Sequence, residues 1–395
     1  MKEAVILAGG YGTRLYPLTQ TRAKSLLPLA GVPLIHRLVK YLESNGYEKI
    51  VVTLNNFSNQ IKTSLKELKC RAELIFSEER IPLGTAGSVK KASRYITDTF
   101  LVIQGDIITD IGLSRARAFH FKQDAIGTIL LKERQDVTGL GVVDLDSRRN
   151  IRGFVEKPTF SDSMNRLVST GIYLLDPRVL DYIPSKRPFD FARDLFPALL
   201  QKGLRLKGLP VEGYWIDVGT PRLYKEASRW FLNLLGRHSP SMPANRLGQL
   251  VDSDRVINSP TSIIVRKDSG NIGVASVSMI RACSSIDRQA TIDGCVLEKR
   301  VVVGKGAILR DSIILEDSKI DDGVIIESSI VGEGCHLGRG SSIGSESVLG
   351  GYVEVRPNVA IKENSVIPAK SVVELISTQW AYASGSDGVH SCNKA

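Results

Sequence analysis

Cysteine and histidine are scarce in this chain, with five of each among 395 residues. The cysteines, at positions 70, 283, 295, 335 and 392, are odd in number and scattered, with no Cys-x-x-Cys pair. That excludes a disulfide framework and a zinc site, and fits a reducing, cytoplasmic setting. The histidines show no metal-ligand spacing. No apolar run approaches the ~20 residues a membrane helix needs, so no membrane partner is expected. The chain runs from Met1-Lys2-Glu3 straight into an apolar stretch, without the pattern of a signal peptide. Basic runs are also missing. The net charge of +10 implies anionic partners, yet the basic residues are spread out and not interleaved with aromatics. Nucleic acid is therefore not expected, and phosphorylated small molecules account for the charge. At this length two domains are expected, each able to bury a core.

What is present is organised around residues 5–19. Ala4 to Ala8 is an uninterrupted apolar run and reads as a buried strand. Three glycines follow within four residues (Gly9, Gly10 and Gly12), and then Thr13 and Arg14. Glycine permits positive φ and close approach of backbone N–H groups to a ligand. Such a turn forms an anion-binding concavity, to which Arg14 adds a planar fork suited to phosphate. No Gly-Lys-Ser/Thr closes the turn, so it is not a P-loop, and the dinucleotide fingerprint lacks its third glycine. On these residues alone, a structural glycine turn remains open.

Further along, apolar runs alternate with helical periodicity: strands at 49–54, 73–76 and 100–103, helices at 34–45, 58–68 and 85–95. This predicts an α/β domain with a Rossmann-like, mixed but mostly parallel sheet. Ligands of such sheets sit beyond the carboxyl ends of the strands. Asp106, directly after Phe100–Ile103, is placed there. Gly84-Thr85-Ala86-Gly87 reads as a helix N-terminus able to present N–H groups, or simply as a cap. Glu156-Lys157-Pro158 is an acid and a base beside a proline, which restricts Lys157 to extended geometry. Asp217 lies in an aromatic–glycine frame, Gly213-Tyr214-Trp215-Ile216-Asp217-Val218-Gly219.

From Ile286 onward aliphatic residues recur every six positions, at Leu337, Ile343, Leu349, Val355, Ile361, Ile367 and Val373. Val303, Leu309, Leu315, Ile320 and Ile326 keep the step with single slips. This matches a hexapeptide-repeat, left-handed parallel β-helix. The expected division is 1–236 for the α/β domain and 237–285 for an irregular connector. The β-helix follows at 286–374, and a tail at 375–395, which reads as disordered after Thr378. His336, the only histidine in the repeat, reads as a surface residue rather than the base of an acyltransferase.

Leu7-Ala8-Gly9-Gly10-x-Gly12-Thr13-Arg14-Leu15-x-Pro17-Leu18-Thr19, with Lys24 and Pro28-Leu29, resembles the signature of the sugar-1-phosphate nucleotidylyltransferases. Many members carry proline where Ala23 or Ser25 stands, asparagine at Gln104 and asparagine at Ser169. The resemblance implies transfer of a nucleotidyl group from a nucleoside triphosphate to a sugar 1-phosphate, with Mg2+ held by Asp106 and Asp217. It implies that Leu7, Ala8, Gly9, Gly10, Gly12, Thr13, Arg14, Lys24, Gly84, Thr85 and Gly87 bind the nucleotide. Gly141, Glu156, Lys157 and Gly171 are implied for the sugar phosphate. Arg14, Lys24 and the two aspartates are the implied catalytic set. The architecture is most similar to the branch that joins GTP to mannose 1-phosphate. The glucose-1-phosphate uridylyl, adenylyl and thymidylyl branches share most of these motifs. A non-catalytic regulatory subunit and a bifunctional acyltransferase are the remaining alternatives. The β-helix implies a homo-oligomer.

Overall fold

The computed structural model describes residues 2–137, 139–156, 166–238, 242–243, 263–267, 276–281, 284–376 and 379–384. By packing, the chain divides into two compact units: Met1–Tyr11 with Pro33–Val218, and Gly12–Val32 with Gly219–Ala395. The signature motif is thus split between them. Its second half packs with the C-terminal coils.

The strands up to residue 217 are, in order, β1 (Glu3–Leu7), β2 (Pro28–Leu29), β3 (Val32–Pro33), β4 (Lys49–Leu54), β5 (Glu73–Glu78), β6 (Phe100–Gln104) and β7 (Ile107–Thr109). They continue as β8 (Gly127–Glu133), β9 (Gly141–Leu145), β10 (Ile151–Glu156), β11 (Leu167–Leu175), β12 (Leu206–Pro210) and β13 (Trp215–Asp217). The first unit is built on a nine-stranded sheet in the order β10-β9-β11-β6-β1-β4-β5, with β8 on β11 and β12 on β8. The half made of β6, β1, β4 and β5 is parallel, as the helical crossovers require. The other half turns antiparallel at β11. One cause is local: β9 and β10 are joined by a tight turn in which Asp146 accepts from the Arg148 and Asn150 N–H groups. A turn that short allows only an antiparallel pair.

Ala4, Val5 and Ile6 are fully buried because β1 has parallel neighbours on both sides and both its faces are covered. Helix α1 (Leu34–Ser44) buries Leu34, Ile35, Leu38, Val39 and Leu42 along one stripe. It stops at Gly46, whose φ of 82° is the left-handed geometry glycine accepts most readily. The sheet core gathers Val5, Val102, Ile129, Leu131, Tyr173, Phe191 and Phe196. Tyr173 and Phe196 meet edge to face at 5.1 Å.

The coils of the second unit stack as a parallel β-helix with one inward aliphatic per side. One sheet stacks Ile280, Leu297, Ile314, Val331, Leu349 and Ile367. The second stacks Ile286, Val303, Ile320, Leu337, Val355 and Val373. The third stacks Ile292, Leu309, Ile326, Ile343 and Ile361. Buried serines stitch one corner: the Ser329, Ser347 and Ser365 N–H groups donate to the hydroxyls of Ser312, Ser329 and Ser347.

Three sequence expectations change here. The inward residue at the slip is Ile314 rather than Leu315; both are buried, and the period cannot choose between adjacent aliphatics. The expected connector contains strands: Ile263–Lys267 pairs antiparallel with Ser276–Ile280, which then opens the first parallel sheet beside Val296–Leu297. Its antiparallel start lies outside the repeat and so carries no six-residue signal. The expected tail contributes Gln379–Ser384, antiparallel to Ser371–Ile376. A final coil exposes an unpaired edge, and this strand covers it.

Candidate active site

In the first unit, the chain leaves β1 with the Ala8 N–H donating to the Thr53 carbonyl at 3.1 Å. At Gly9 a Cβ would stand 3.3 Å from the Asn55 side chain. After β6, the Gly105 N–H donates to the Leu7 carbonyl at 2.9 Å. A Cβ at Gly105 would sit 2.9 Å from that same oxygen, so glycine is needed for the approach. This close pass places Asp106 beside the start of the glycine loop. The Asp106 carbonyl accepts from the Val218 N–H at 3.0 Å, and Asp217 is the register partner of Ile107 in the two-stranded β7–β13 ribbon. The backbones of the two aspartates, far apart in sequence, thus lie at the same end of one ribbon.

The ribbon is held from several sides. The Trp215 indole donates to the Thr170 carbonyl at 2.8 Å. The Arg134 guanidinium donates to the Trp215 carbonyl at 2.5 Å and lies 5.3 Å from its ring. The Tyr214 N–H donates to Asp110 at 2.6 Å. Among the described residues, no cluster of three or more His, Cys, Asp or Glu forms a metal site. Asp106 and Asp217 are the carboxylates that the pairing brings to one end of this ribbon. They fit Mg2+, which takes one or two carboxylates and completes its shell with waters and phosphate oxygens.

The second unit holds the other half of the motif. Gly12 has φ +67°, and a Cβ there would come within 2.9 Å of Thr19 Cγ2 and 3.1 Å of Lys24 Cβ. The Thr19 hydroxyl donates back to the Gly12 carbonyl at 3.0 Å. The loop is therefore closed on itself, with Thr13–Leu15 and Lys24–Leu26 as single 3-10 turns. Leu15 and Leu18 are fully buried beneath it. The Arg14 guanidinium packs on Gly219, where a Cβ would be 3.1 Å from Nη2. Ala23 has φ −63°, the angle of a proline ring, so its departure from the family pattern leaves the backbone path intact.

Helix α2 (Gly84–Ala92) opens differently from its expectation as a source of free N–H groups. The Ala86 and Gly87 N–H groups both donate to the Phe189 carbonyl, at 3.0 and 2.9 Å. The Thr85 hydroxyl donates to Asp190 at 2.7 Å. Gly84 has φ +71°, and a Cβ there would lie 2.6 Å from the Phe189 oxygen, so this glycine admits a crossing segment. Sequence reading missed the acid beside it. Glu79 follows β5 and accepts from the Leu83 N–H through Oε2 at 3.1 Å. Its other oxygen is buried without a hydrogen-bond partner among the described residues. Burial pushes the Glu79 carboxyl up, against the Ser88 hydroxyl, the Leu83 N–H and Lys91. The available signal was its place just past the carboxyl end of a parallel strand.

On the implied sugar side, Gly141 and Glu156 are register partners between β9 and β10. Gly171 sits at an irregularity in β11 with φ +72°, and a Cβ there would be 3.0 Å from Gln104 Nε2. Gln104 immediately precedes Gly105 and Asp106, which ties this side to the aspartate ribbon. Lys157 lies outside the described residues.

Residues 3–233 match the nucleotidyl transferase family model, and residues 274–380 match the GMPPB C-terminal domain. A UTP–glucose-1-phosphate uridylyltransferase from Synechocystis sp. is 32% identical over 246 residues, 58% of this chain and 63% of that protein. A mannose-1-phosphate guanyltransferase from Schizosaccharomyces pombe is 33% identical over 269 residues, 66% of this chain and 72% of that protein. Among solved structures, HddC from Yersinia pseudotuberculosis complexed with GMP-PN aligns at 30% identity and a TM-score of 0.51. That alignment covers 58% of this chain and all of that one. The chain belongs to the nucleotidyl transferase family, and its C-terminal coils carry the GMPPB C-terminal domain.

Proposed function

We propose that this protein transfers a nucleotidyl group from GTP to mannose 1-phosphate, releasing pyrophosphate. The observation behind the reaction class is the backbone pairing that brings Asp106 and Asp217 to one end of the β7–β13 ribbon, where Gly105 passes the end of β1. The sugar-phosphate oxygen attacks the α-phosphorus and pyrophosphate departs, so no side-chain nucleophile is needed. Positioning and electrostatics then carry the catalysis. Arg14 and the loop N–H groups hold the triphosphate and its leaving group. Lys24 reaches the α-phosphate, and Lys157, with Glu156, Gly141 and Gly171, holds the sugar phosphate. Mg2+, held by Asp106 and Asp217, would neutralise charge on the phosphate oxygens.

The choice of GTP rests on Glu79, together with the guanyltransferase and GMP-PN relatives. An ionised carboxylate only accepts hydrogen bonds. Guanine offers two adjacent donors, N1–H and the 2-amino group, whereas uracil and thymine set one N–H between two carbonyls that a carboxylate repels. A pyrophosphate-release assay of five nucleoside triphosphates against several sugar 1-phosphates with Mg2+ tests both parts. The GTP and mannose 1-phosphate pair should give the highest kcat/KM, and no release from any pair would defeat the reaction. Glu79→Gln should lower kcat/KM for GTP by roughly 10- to 100-fold, the worth of hydrogen bonds to a charged group. Unchanged discrimination among the bases would defeat the guanine reading.

Assembly as a homo-oligomer in the cytoplasm belongs to the same proposal. The coils expose Val302, Ile325, Tyr352 and Val366, which suit a protein contact. Burial pushes the Cys295 and Cys335 thiols up to about 12, as inert core residues rather than disulfide partners. No helix among the described residues is long and apolar enough to cross a membrane. His336 stands 3.0 Å from Asp321, which supports a structural role for it.

A further inference from the structure

We infer that Glu316 and Glu333, carried by consecutive coils of the β-helix, are positioning residues for the reaction proposed above. They act by clamping the segment that carries Lys24; the inference rests on that reaction being the right one. The segment Gly12–Val32 belongs to the same compact unit as the coils. Arg22, two residues before Lys24, reaches Glu316 with Nη2 at 2.6 Å and Glu333 at 3.3 Å. The Thr21 hydroxyl donates to the other oxygen of Glu333 at 2.5 Å. Their side chains are only 14% (Arg22), 28% (Glu316) and 7% (Glu333) exposed, so this is a largely desolvated pair of acids around one guanidinium.

The contacts follow the coil repeat. The Gly334 N–H donates to the Glu316 carbonyl, Tyr352 to Glu333, and Lys370 to Gly351. Glu316, Glu333, Gly351 and Ala369 are therefore one row, a single position on four successive coils. Every member of that row meets residues 20–22. At Gly351 a Cβ would be 2.7 Å from the Glu333 carboxylate and 3.0 Å from the Thr21 oxygen, so the row leaves room where the clamp closes. At Ala369 the N–H donates to the Gln20 side chain at 2.7 Å. The far end of the segment is fixed as well. The Gly31 N–H donates to Glu298 at 2.8 Å, and Gly31 is overlain by the Arg281 guanidinium, leaving no space for a side chain. Lys24 lies between these two anchorages. A reacting group displaced by ~1 Å costs about 10²-fold in rate, so a clamp on this segment sets the rate of the step in which Lys24 takes part.

The test uses Glu333→Gln in the full chain, which keeps the shape and an acceptor for Thr21 but removes the charge facing Arg22. Expected are an unchanged melting temperature of the coils, a kcat lowered about 10- to 100-fold, and a KM for both substrates within about threefold. Amide exchange of residues 20–31 should rise selectively. Glu327→Gln, which removes the surface partner of Arg310, should change none of these. Wild-type kcat together with wild-type exchange in Glu333→Gln overturns the inference. If that variant does not fold, Arg22→Lys takes its place with the same expected loss of kcat, and a wild-type kcat there overturns it equally. If the wild-type protein releases no pyrophosphate, the reaction itself is refuted. The exchange of residues 20–31 in Glu333→Gln then decides the clamp alone.

Discussion

The two units fill their interiors by different rules. The sheet of the first unit packs Tyr173, Phe191 and Phe196 against aliphatics from strands far apart in sequence. The coils bury Ile, Leu and Val in three straight rows, each residue stacked on its counterpart one coil away. In the first arrangement a side chain is shared by many elements, so its loss is felt by the whole unit. In the second, stability is a sum over neighbouring coils. The implied site residues fall on both sides of this division: Asp106 and Asp217 belong to the first unit, and Arg14 and Lys24 to the second.

The largest effect is expected from removing one of the proposed Mg2+ ligands. Asp217→Asn should lower kcat by roughly 10³-fold, at the upper end of losing one preorganised electrostatic group, and leave the melting temperature nearly unchanged. A kcat within tenfold of wild type would take Asp217 out of the reaction. Arg14→Ala, in the other unit, should cost about 10²–10³ in kcat for the same reason. A variant that keeps the wild-type kcat would take its own residue out of the reaction. Phe196→Ala should instead destabilise the first unit by ~3–5 kcal/mol, seen in denaturant unfolding.

These residues were not equally legible beforehand. The glycine loop, the acids after strands and the coil period each leave a local pattern, and the structure contains the strands, helices and rows those patterns imply. What stayed hidden depends on contacts that sequence does not order. Thr21 and Glu333 are 312 residues apart, and nothing near either one names the other. Glu79 looks like any polar residue ending a strand until the buried side of its carboxylate is seen. Ile314 and Leu315 are both aliphatic and both buried, so only the hydrogen-bonded register assigns the row. The strand pair 263–280 lies ahead of the repeat and pairs antiparallel, outside any period.

A smaller effect than the core truncation is expected from pH, and it belongs to the coils. Burial pushes the Glu298 carboxyl up to about 7, against the Gly31 N–H and Arg281. The folded state therefore holds a proton that the unfolded state has already released. Stability should fall as pH rises from the unfolded value of 4.5 towards 7, and level off above it. The loss is at most about 3 kcal/mol at roughly 1.4 kcal/mol per unit. Glu298→Gln should keep the Gly31 contact, flatten this part of the melting profile between pH 5 and 8, and be the more stable form at pH 8. An identical slope in the variant would remove Glu298 as its source.

The smallest change separates the two packing rules most cleanly. Ile103 in β6 and Ile343 in the coils are both essentially inaccessible, so Ile→Val deletes one methylene from each. The cost should be similar, about 0.5–1.5 kcal/mol. Its reach should differ. Ile103 lies between β1 and β11, so the loss should appear as faster amide exchange across the strongly protected strands of the first unit. Ile343 is stacked between Ile326 and Ile361, and exchange there should rise only in its own coil and the two beside it. Exchange that rises through every coil would mean that the stack opens as one body. A nearest-neighbour sum would then be the wrong description of the coils, and the clamp on residues 20–22 would draw on the whole column rather than on the coils it touches.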